Sequence, residues 1–500
     1  MSIFRKKSLP DLLEESRAQG EGTLKRHLGA IGLILLGIGA IIGAGLFVRT
    51  AAAAADSAGA AVTISFIIAA VGCAFAGLCY AEFASMIPIS GSAYTYSYVT
   101  MGELIAWIIG WDLVLEYALG AATVAVAWSE YLNKFLHQTV GWEIPYAWCH
   151  SPFQISQAGE HGIINMPALL VLFLITLILI KGIQESALVN AVIVIIKVAI
   201  VLLFIALGWQ YINGTNHVPY ITQAFDYPPD ANGAIKHYAG GWMGILAGAG
   251  TVFFAFIGFD AVSTAAQETK NPSRDMPIGI LVSLAICTIL YILFAHVLTW
   301  VANFREFQIS GKEASVTYVI ETYMQNYSWL ATFVTVAILA GFSSVILVLL
   351  LGQSRVFYAM SRDGLLPSLF GDLHPSFRTP YKSNIILFLF VAVFAAFIPG
   401  EVVGDMCSIG TLFAFALVSV GIIIMRRTNP DAPRAFRTPF SPIFPLIGAG
   451  VCLAMIYGLG WENWLRLGVW LALGFIIHFG YSIKHSKLNK TLQELFPTFT

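Results

Sequence analysis

The sequence predicts an all-α integral membrane protein of about twelve transmembrane helices, with helices 1 and 6 broken at mid-membrane. Three observations carry this. Of the 500 residues, 58% are hydrophobic and 11% charged, against about 25% charged in an ordinary soluble domain. Apolar runs of roughly 20 residues, enough to cross a hydrocarbon layer, recur along the whole chain with short polar gaps. The first and sixth runs are interrupted by glycines.

Met1 to His27 carries Arg5, Lys6, Lys7, Arg17, Lys25 and Arg26 without an apolar core. It reads as a cytoplasmic N-terminal segment, 1–27, and not as a cleaved signal. One transmembrane domain follows at 28–482, and then a cytoplasmic tail, 483–500. Spans are expected at 28–52, 60–87, 101–131, 164–181, 186–208, 240–268, 277–302, 328–360, 382–399, 403–426, 441–460 and 463–482, with Ala51 to Ala55 ending the first.

An even number of spans returns the C-terminus, with Lys484, Lys487 and Lys490, to the side of the N-terminus. Twenty of the 27 Lys and Arg then fall on the inner side, and only Arg49, Lys134, Lys236, Arg305, Lys312 and Arg466 on the outer side. This is the positive-inside pattern of a multi-pass cell-membrane protein with both termini cytoplasmic. Loops at 132–163 and 209–239 are long and rich in aromatics, Gly and Pro, as the cover of an outer vestibule would be. A net charge of −1 leaves no basic field for nucleic acid. Cys73, Cys79, Cys287 and Cys452 sit in apolar runs, Cys407 near a helix end and Cys149 alone in a loop; that spacing suits neither a disulfide framework nor a metal site.

Span 1 holds Gly37, Gly39, Gly43 and Gly45 within nine residues, and span 6 holds Gly248, Gly250 and Gly258. The first run reads GxGxxxG and follows no strand, which excludes a dinucleotide fingerprint. Either cluster alone could serve close helix packing. Together, opening each half five spans apart, they point to discontinuous helices in a five-plus-five inverted repeat, about 28–208 and 240–426, with two helices (441–482) added. A broken helix offers amides at the start of its second half and carbonyls at the end of its first. Amides around Gly43, Ala44 and Gly45 suit a carboxylate, and the carbonyls of Phe254, Ala255 and Ile257 suit an ammonium. The pair fits an α-amino acid.

Lys197, Asp112, Glu116 and Asp260 stand well inside spans. Lys197 lies near the middle of span 5, where a charge costs at least about 2.5–3.5 kcal/mol; it is either a member of a static ion pair or a hydrogen-bond donor to loose carbonyls, a proton carrier, or a stand-in for a bound cation. Asp112 and Glu116, at i and i+4, share a face of helix 3 that must look inward. Asp260 follows the break in helix 6, as a cap for its second half or as a partner for substrate or Lys197. Glu82 and Glu268, near inner helix ends, read as interfacial or gate residues. His296 and His478 read as packing positions.

These residues, with the stretches Ser90 to Val99, Gly102 to Ala106, Gly110 to Asp112, Ile257 to Val262, Glu268, Asn271 with Pro272, and Gly352 to Pro367, resemble the cationic amino acid transporters and their bacterial relatives in the amino acid-polyamine-organocation superfamily. The resemblance spans nearly the whole chain. It implies the inverted-repeat fold, alternating access, and coupling to protons in place of sodium. It further implies that Ile41, Ala44 and Gly45 hold the carboxylate and that Phe254, Ala255 and Ile257 hold the amine. Lys197 would fill the position where sodium-coupled relatives bind their ion, tuned by Glu116 and Asp260. Ala44 replaces a threonine of many bacterial relatives. Leu349 on helix 8 would face the substrate side chain and shorten the pocket, favouring small neutral amino acids over arginine.

The expectation is a secondary active L-amino-acid transporter in the lipid bilayer, working by proton symport with no metal or organic cofactor. Alternatives are an exchanger or cationic amino acid carrier without proton coupling, or an amino-acid-gated channel or sensor. An accessory subunit is left open. HExxH and GxSxG motifs are absent, so an enzyme is not expected.

Overall fold

The computed structural model describes residues 5–7, 28–87, 89, 91–156, 159–182, 187–227, 239–309 and 314–488. Most of the expected N-terminal segment, the tail past 488, and Lys236, Lys312 and Lys490 lie outside them.

The described chain builds α1a (Ala30–Ile41) and α1b (Gly45–Arg49, Thr50–Ala53 and Ala54–Ala58 in succession), α2 (Val62–Met86), α3 (Glu103–Val140), α4 (Met166–Lys181) and α5 (Ala187–Gly208). Then come α6a (Gly241–Phe253), α6b (Ala261–Thr264), α7 (Pro272–Val301), α8 (Ser328–Arg362), α9 (Tyr381–Phe397), α10 (Gly400–Thr428), α11 (Ile443–Gly458) and α12 (Trp461–Ile477). Among the described residues eight continuous helical runs are long and apolar enough to cross a membrane, and four shorter apolar helices accompany them. Because one long run, Gly45–Met86, carries both α1b and α2, the twelve expected spans are all present. This is a multi-span α-helical membrane protein.

Layering follows from which faces can meet lipid. In α6 89% of the most apolar stretch is buried, and in α12 only 28%, so α6 stands at the centre and α12 at the rim. Exposed Leu170, Phe173 and Leu174 on α4, and Ile195 and Leu202 on α5, are stable only against hydrocarbon. Two groups pack side by side: α7 along α2 and α1a with α6a on α2, and α8 along α3 with α9 on α4. The breaks lie where these groups meet.

Several boundaries differ from expectation for local reasons. The first helix does not stop near residue 52; α-helical and π-helical turns carry it to Ala58, where Gly59 takes φ +58° and turns the chain into α2. The expected loop from 132 begins only after Val140. Asn133, Lys134, His137 and Gln138 continue α3 as an amphipathic helix that Gly141 ends at φ +66°. Pro272, without an N–H to waste, opens α7 five residues early. The loop after α5 holds short 3-10 turns up to Asp226; 228–238 lie outside the described residues.

Candidate functional site

Helix 1 breaks over Ile42 and Gly43. Ile42 takes an extended ψ of 99°, and the second half opens with Gly43, Ala44 and Gly45, whose N–H groups precede its first bond, Leu46 N–H to the Gly43 carbonyl at 3.2 Å. Helix 6 narrows to a 3-10 turn over Phe254–Phe256, becomes extended at Ile257 (ψ 136°) and reverses at Gly258, φ +109°. Only glycine holds that φ without strain.

The breaks cross each other. A Cβ on Gly45 would fall onto the backbone of Ala255, and one on Gly258 would stand 3.0 Å from the Ala40 carbonyl oxygen. The two glycines therefore let the broken stretches of α1 and α6 approach each other closely. The expected carboxylate donors and amine acceptors are brought together here: Ala44, Phe254, Ala255 and Ile257 are all buried beside them.

At the end of α1a the loose carbonyls are occupied. Lys197, 2% exposed, donates from Nζ to the carbonyls of Gly39 at 2.9 Å and Ile42 at 3.0 Å, and Tyr291 donates its hydroxyl to that of Ile41 at 2.8 Å. A cation at a helix C-terminus is electrostatically favoured. Ile41 thus closes the first half of the helix, while the open amides belong to the next three residues.

Helix 8 lines the opposite wall with one residue per turn. Gly341 abuts the Lys197 side chain, Val345 lies 3.4 Å from the point where a Gly43 Cβ would sit, and Leu349 reaches within 3.3 Å of the corresponding point on Gly120. Leu349 thus stands beside Gly120 of helix 3.

On α3 a π-helical turn, Leu115–Leu119, carries Glu116 and Tyr117. π-turns of this kind recur at functional sites. Asp260 precedes α6b without a side-chain cap; its Oδ2 instead accepts the Tyr117 hydroxyl at 2.5 Å. The Glu116 carboxyl faces that of Asp260, with Asp112 nearby, all three fully buried, and the Glu116 carbonyl accepts the Cys407 thiol at 3.2 Å. Tyr117, Tyr291 and Val345 carry no reading in the sequence, and Cys407 only that of a cysteine near a helix end. Tyr117 sits next to a flagged acid, but a lone tyrosine or valine in an apolar run carries no signal.

On the face where residues 5–7 and 485–488 lie, the site is closed. Glu268 pairs with Arg355 of α8 at 2.8 Å, and Lys7 with Asp363 at 2.8 Å, while Asp363 also accepts the Tyr94 hydroxyl at 2.7 Å. Backbone bonds Leu28 N–H to Glu268 (3.0 Å) and Lys270 N–H to Leu28 (2.8 Å) join the start of α1a to the end of the α6 segment. Glu82 is fully buried by protein: Arg426 grips it at 3.0 and 2.6 Å, and the Thr438 N–H at 2.8 Å, fastening α2 to the chain beyond α10. On the opposite face a cavity of about 540 Å³ descends to Ala44, Val48 and Arg49. His478 is buried against Trp107, and His296 packs between Trp209 and Trp300.

Broken helices crossing at mid-depth, a buried lysine on loose carbonyls and a cavity reaching the break define a substrate carrier of the membrane. A family model described as amino acid permease matches residues 28–471. The chain is 44% identical to a branched-chain amino acid permease of Bacillus subtilis (98% of this chain, 99% of that one). It is 42% identical to a methylthioribose transporter of the same organism (98% and 100%), and 34% identical to a vacuolar cationic amino acid transporter of Arabidopsis thaliana (86% and 68%). The chain belongs to the amino acid permease family.

Proposed function

We propose that the protein carries small neutral and branched aliphatic L-amino acids across the plasma membrane by proton symport, with both termini cytoplasmic. The observation that carries this reading is the crossing of the breaks: amides at Gly43, Ala44 and Gly45 open toward the same place as the carbonyls of Ala255 and Ile257. That is a zwitterion's complement. Val345 sets aliphatic surface against Gly43, and with the buried Ile41 and Leu349 it suits an apolar side chain better than a guanidinium. The name of the branched-chain permease relative agrees.

For coupling, Lys197 caps the end of α1a through the carbonyls of Gly39 and Ile42, so a change in its charge acts on the backbone next to the amides proposed to bind the carboxylate. Glu116 and Asp260 lie below as the second proton-bearing pair. No metal or organic cofactor is invoked.

The likeness to a methylthioribose transporter supports a second reading, a neutral thiosugar as cargo. A thermal-shift screen of the purified protein against the twenty amino acids and methylthioribose separates the two, because a ligand stabilises what it binds. Leucine, valine or alanine should raise Tm; a rise with methylthioribose alone refutes the amino-acid reading. Uptake into proteoliposomes with and without an imposed pH gradient then separates symport from exchange.

A further inference from the structure

Between Arg426 and Pro442 the chain carries four arginines, Arg426, Arg427, Arg434 and Arg437, and a single acid, Asp431. Even with Glu82 of α2 reaching in, positive charge is in excess by two. Because α11 and α12 cross the membrane and return, this loop lies on the face of residues 485–488. We propose that it binds an anionic phospholipid of the adjacent leaflet, phosphate on the arginines and acyl chains along Phe440 and α11.

The loop is a built surface. The Glu82 carboxylate takes Arg426 at 2.6 Å and Arg434 at 3.2 Å, so two guanidiniums share one counter-charge. Arg434 faces inward and donates to the carbonyls of Asn429 at 2.7 Å and of Pro430 and Ala432 at 2.9 Å, which winds the loop around it. Arg437 is held the other way. The Phe436 N–H bonds the Ser85 hydroxyl at 3.4 Å and the Thr438 N–H bonds Glu82 at 2.8 Å. The backbone is thus pinned to α2 on both sides of Arg437, while Arg437 itself is exposed. Its guanidinium and that of Arg426, 26% exposed, both lie close enough to repel Arg434. Arg427, in the last turn of α10, is exposed as well. Neither Arg427 nor Arg437 pairs with a carboxylate among the described residues.

Depth supplies the other half of the case. Three residues past Arg437, Phe440 is 72% exposed and takes φ +46°, which a bulky side chain rarely adopts. Exposed Ile443, Leu446 and Ile447 continue from it up α11. Such a row is stable against hydrocarbon, so the apolar layer begins near Phe440 and Arg437 stands just outside it, at headgroup level. A phosphodiester there meets guanidiniums whose fork matches its oxygens. A soluble phosphate would use the charges and leave the apolar row idle; a lipid uses both.

The experiment takes the purified full chain in micelles of a neutral maltoside detergent, titrates phosphatidylglycerol, and reads Tm. No substrate is added, so the result is independent of what the protein carries. Tm should rise with phosphatidylglycerol and not with phosphatidylcholine. An arginine near an anionic surface is worth about fivefold in affinity. Arg437→Gln should therefore raise the half-maximal lipid concentration about fivefold, and Arg427→Gln with Arg437→Gln about 25-fold. Both positions are exposed, so the lipid-free Tm should stay parental. Lys270→Gln with Arg274→Gln removes two exposed charges elsewhere on the same face and should leave the titration unchanged. An equal loss in that control, an equal rise with phosphatidylcholine, or an equal rise with glycerophosphoglycerol, the headgroup without its chains, overturns the lipid site.

Discussion

Gly45→Ala tests the crossing of the breaks most directly. Neither Gly43 nor Gly45 has a positive φ, so an alanine fits either backbone and only space decides. At Gly45 the new Cβ would land on the Cα and N of Ala255, and 2.7 Å from its Cβ. Carbon atoms prefer about 3.5–4.0 Å, so α1b and α6 must part by more than about 1 Å. Overpacking of this kind costs about 1–3 kcal/mol, which as lost affinity is about 5- to 150-fold. At Gly43 the nearest atom is the Val345 Cγ2 at 3.4 Å, an ordinary contact. Binding measured by ligand-induced thermal shift, and uptake by proteoliposomes, should collapse in Gly45→Ala and stay within about threefold of the parent in Gly43→Ala. Adding Ala255→Gly removes one of the three clashes and leaves the two backbone ones, so it should not restore function. Equal damage from both alanines, or full rescue by Ala255→Gly, would refute the crossing.

Further outcomes follow from the same contacts. Lys197→Ala should abolish proton-driven uptake, since it deletes the cation on Gly39 and Ile42; normal uptake with an intact pH profile excludes Lys197 from coupling. Glu82→Gln should lower Tm without changing substrate affinity, the loss of a carboxylate held by Arg426 costing about 3–5 kcal/mol for a buried pair; differential scanning fluorimetry reads it. Gly258→Ala combines a φ of +109° with a 3.0 Å approach to the Ala40 carbonyl oxygen, so it should be more destabilising than Gly250→Ala, whose nearest neighbour is the movable Leu459 side chain. In the loop after α5, burial lowers the His217 imidazole to about 4, with the His296 ring adding to it. The unfolded chain, near pKa 6.5, then binds a proton that the fold refuses, so this contribution is full above pH 6.5 and fades as pH falls toward 4. His217→Gln should flatten that part of the Tm-versus-pH curve.

Much of this was legible because it rests on local rules. Apolar runs give spans wherever the surrounding solvent is hydrocarbon, and Gly258 could be read as a break because a positive φ has a residue signature. Gly45 was legible for another reason, the lack of a Cβ at a close approach, although what it approaches could not be known. The extension of α3 to Val140 was missed because a polar helix above the membrane has no hydropathy signal. Tyr291 was missed because its role is to satisfy one carbonyl on a helix 250 residues away in sequence. The partner of Glu82, Arg426, lies 344 residues on and could not be read from the sequence. Long-range pairing has no periodicity to betray it.

The break in helix 1 has a physical condition attached, and Lys197 meets it in either protonation state. At mid-membrane depth an unpaired carbonyl costs several kcal/mol unless protein satisfies it. Gly39 and Ile42 take their bonds from one Nζ, and Ile41 takes its bond from Tyr291. An ammonium has three N–H donors and a neutral amine still has two, as many as the two carbonyls need. Loss of the proton therefore weakens both bonds together, from charge-assisted to neutral, without orphaning either carbonyl. A glutamine could not do the same from a shorter stem, and an arginine would never release its proton. Lysine is the side chain that can both hold the break closed as structure and loosen it as a proton carrier. Lys197→Arg should accordingly keep the fold, by melting temperature, while losing the pH-gradient dependence of uptake that Lys197→Ala loses along with stability.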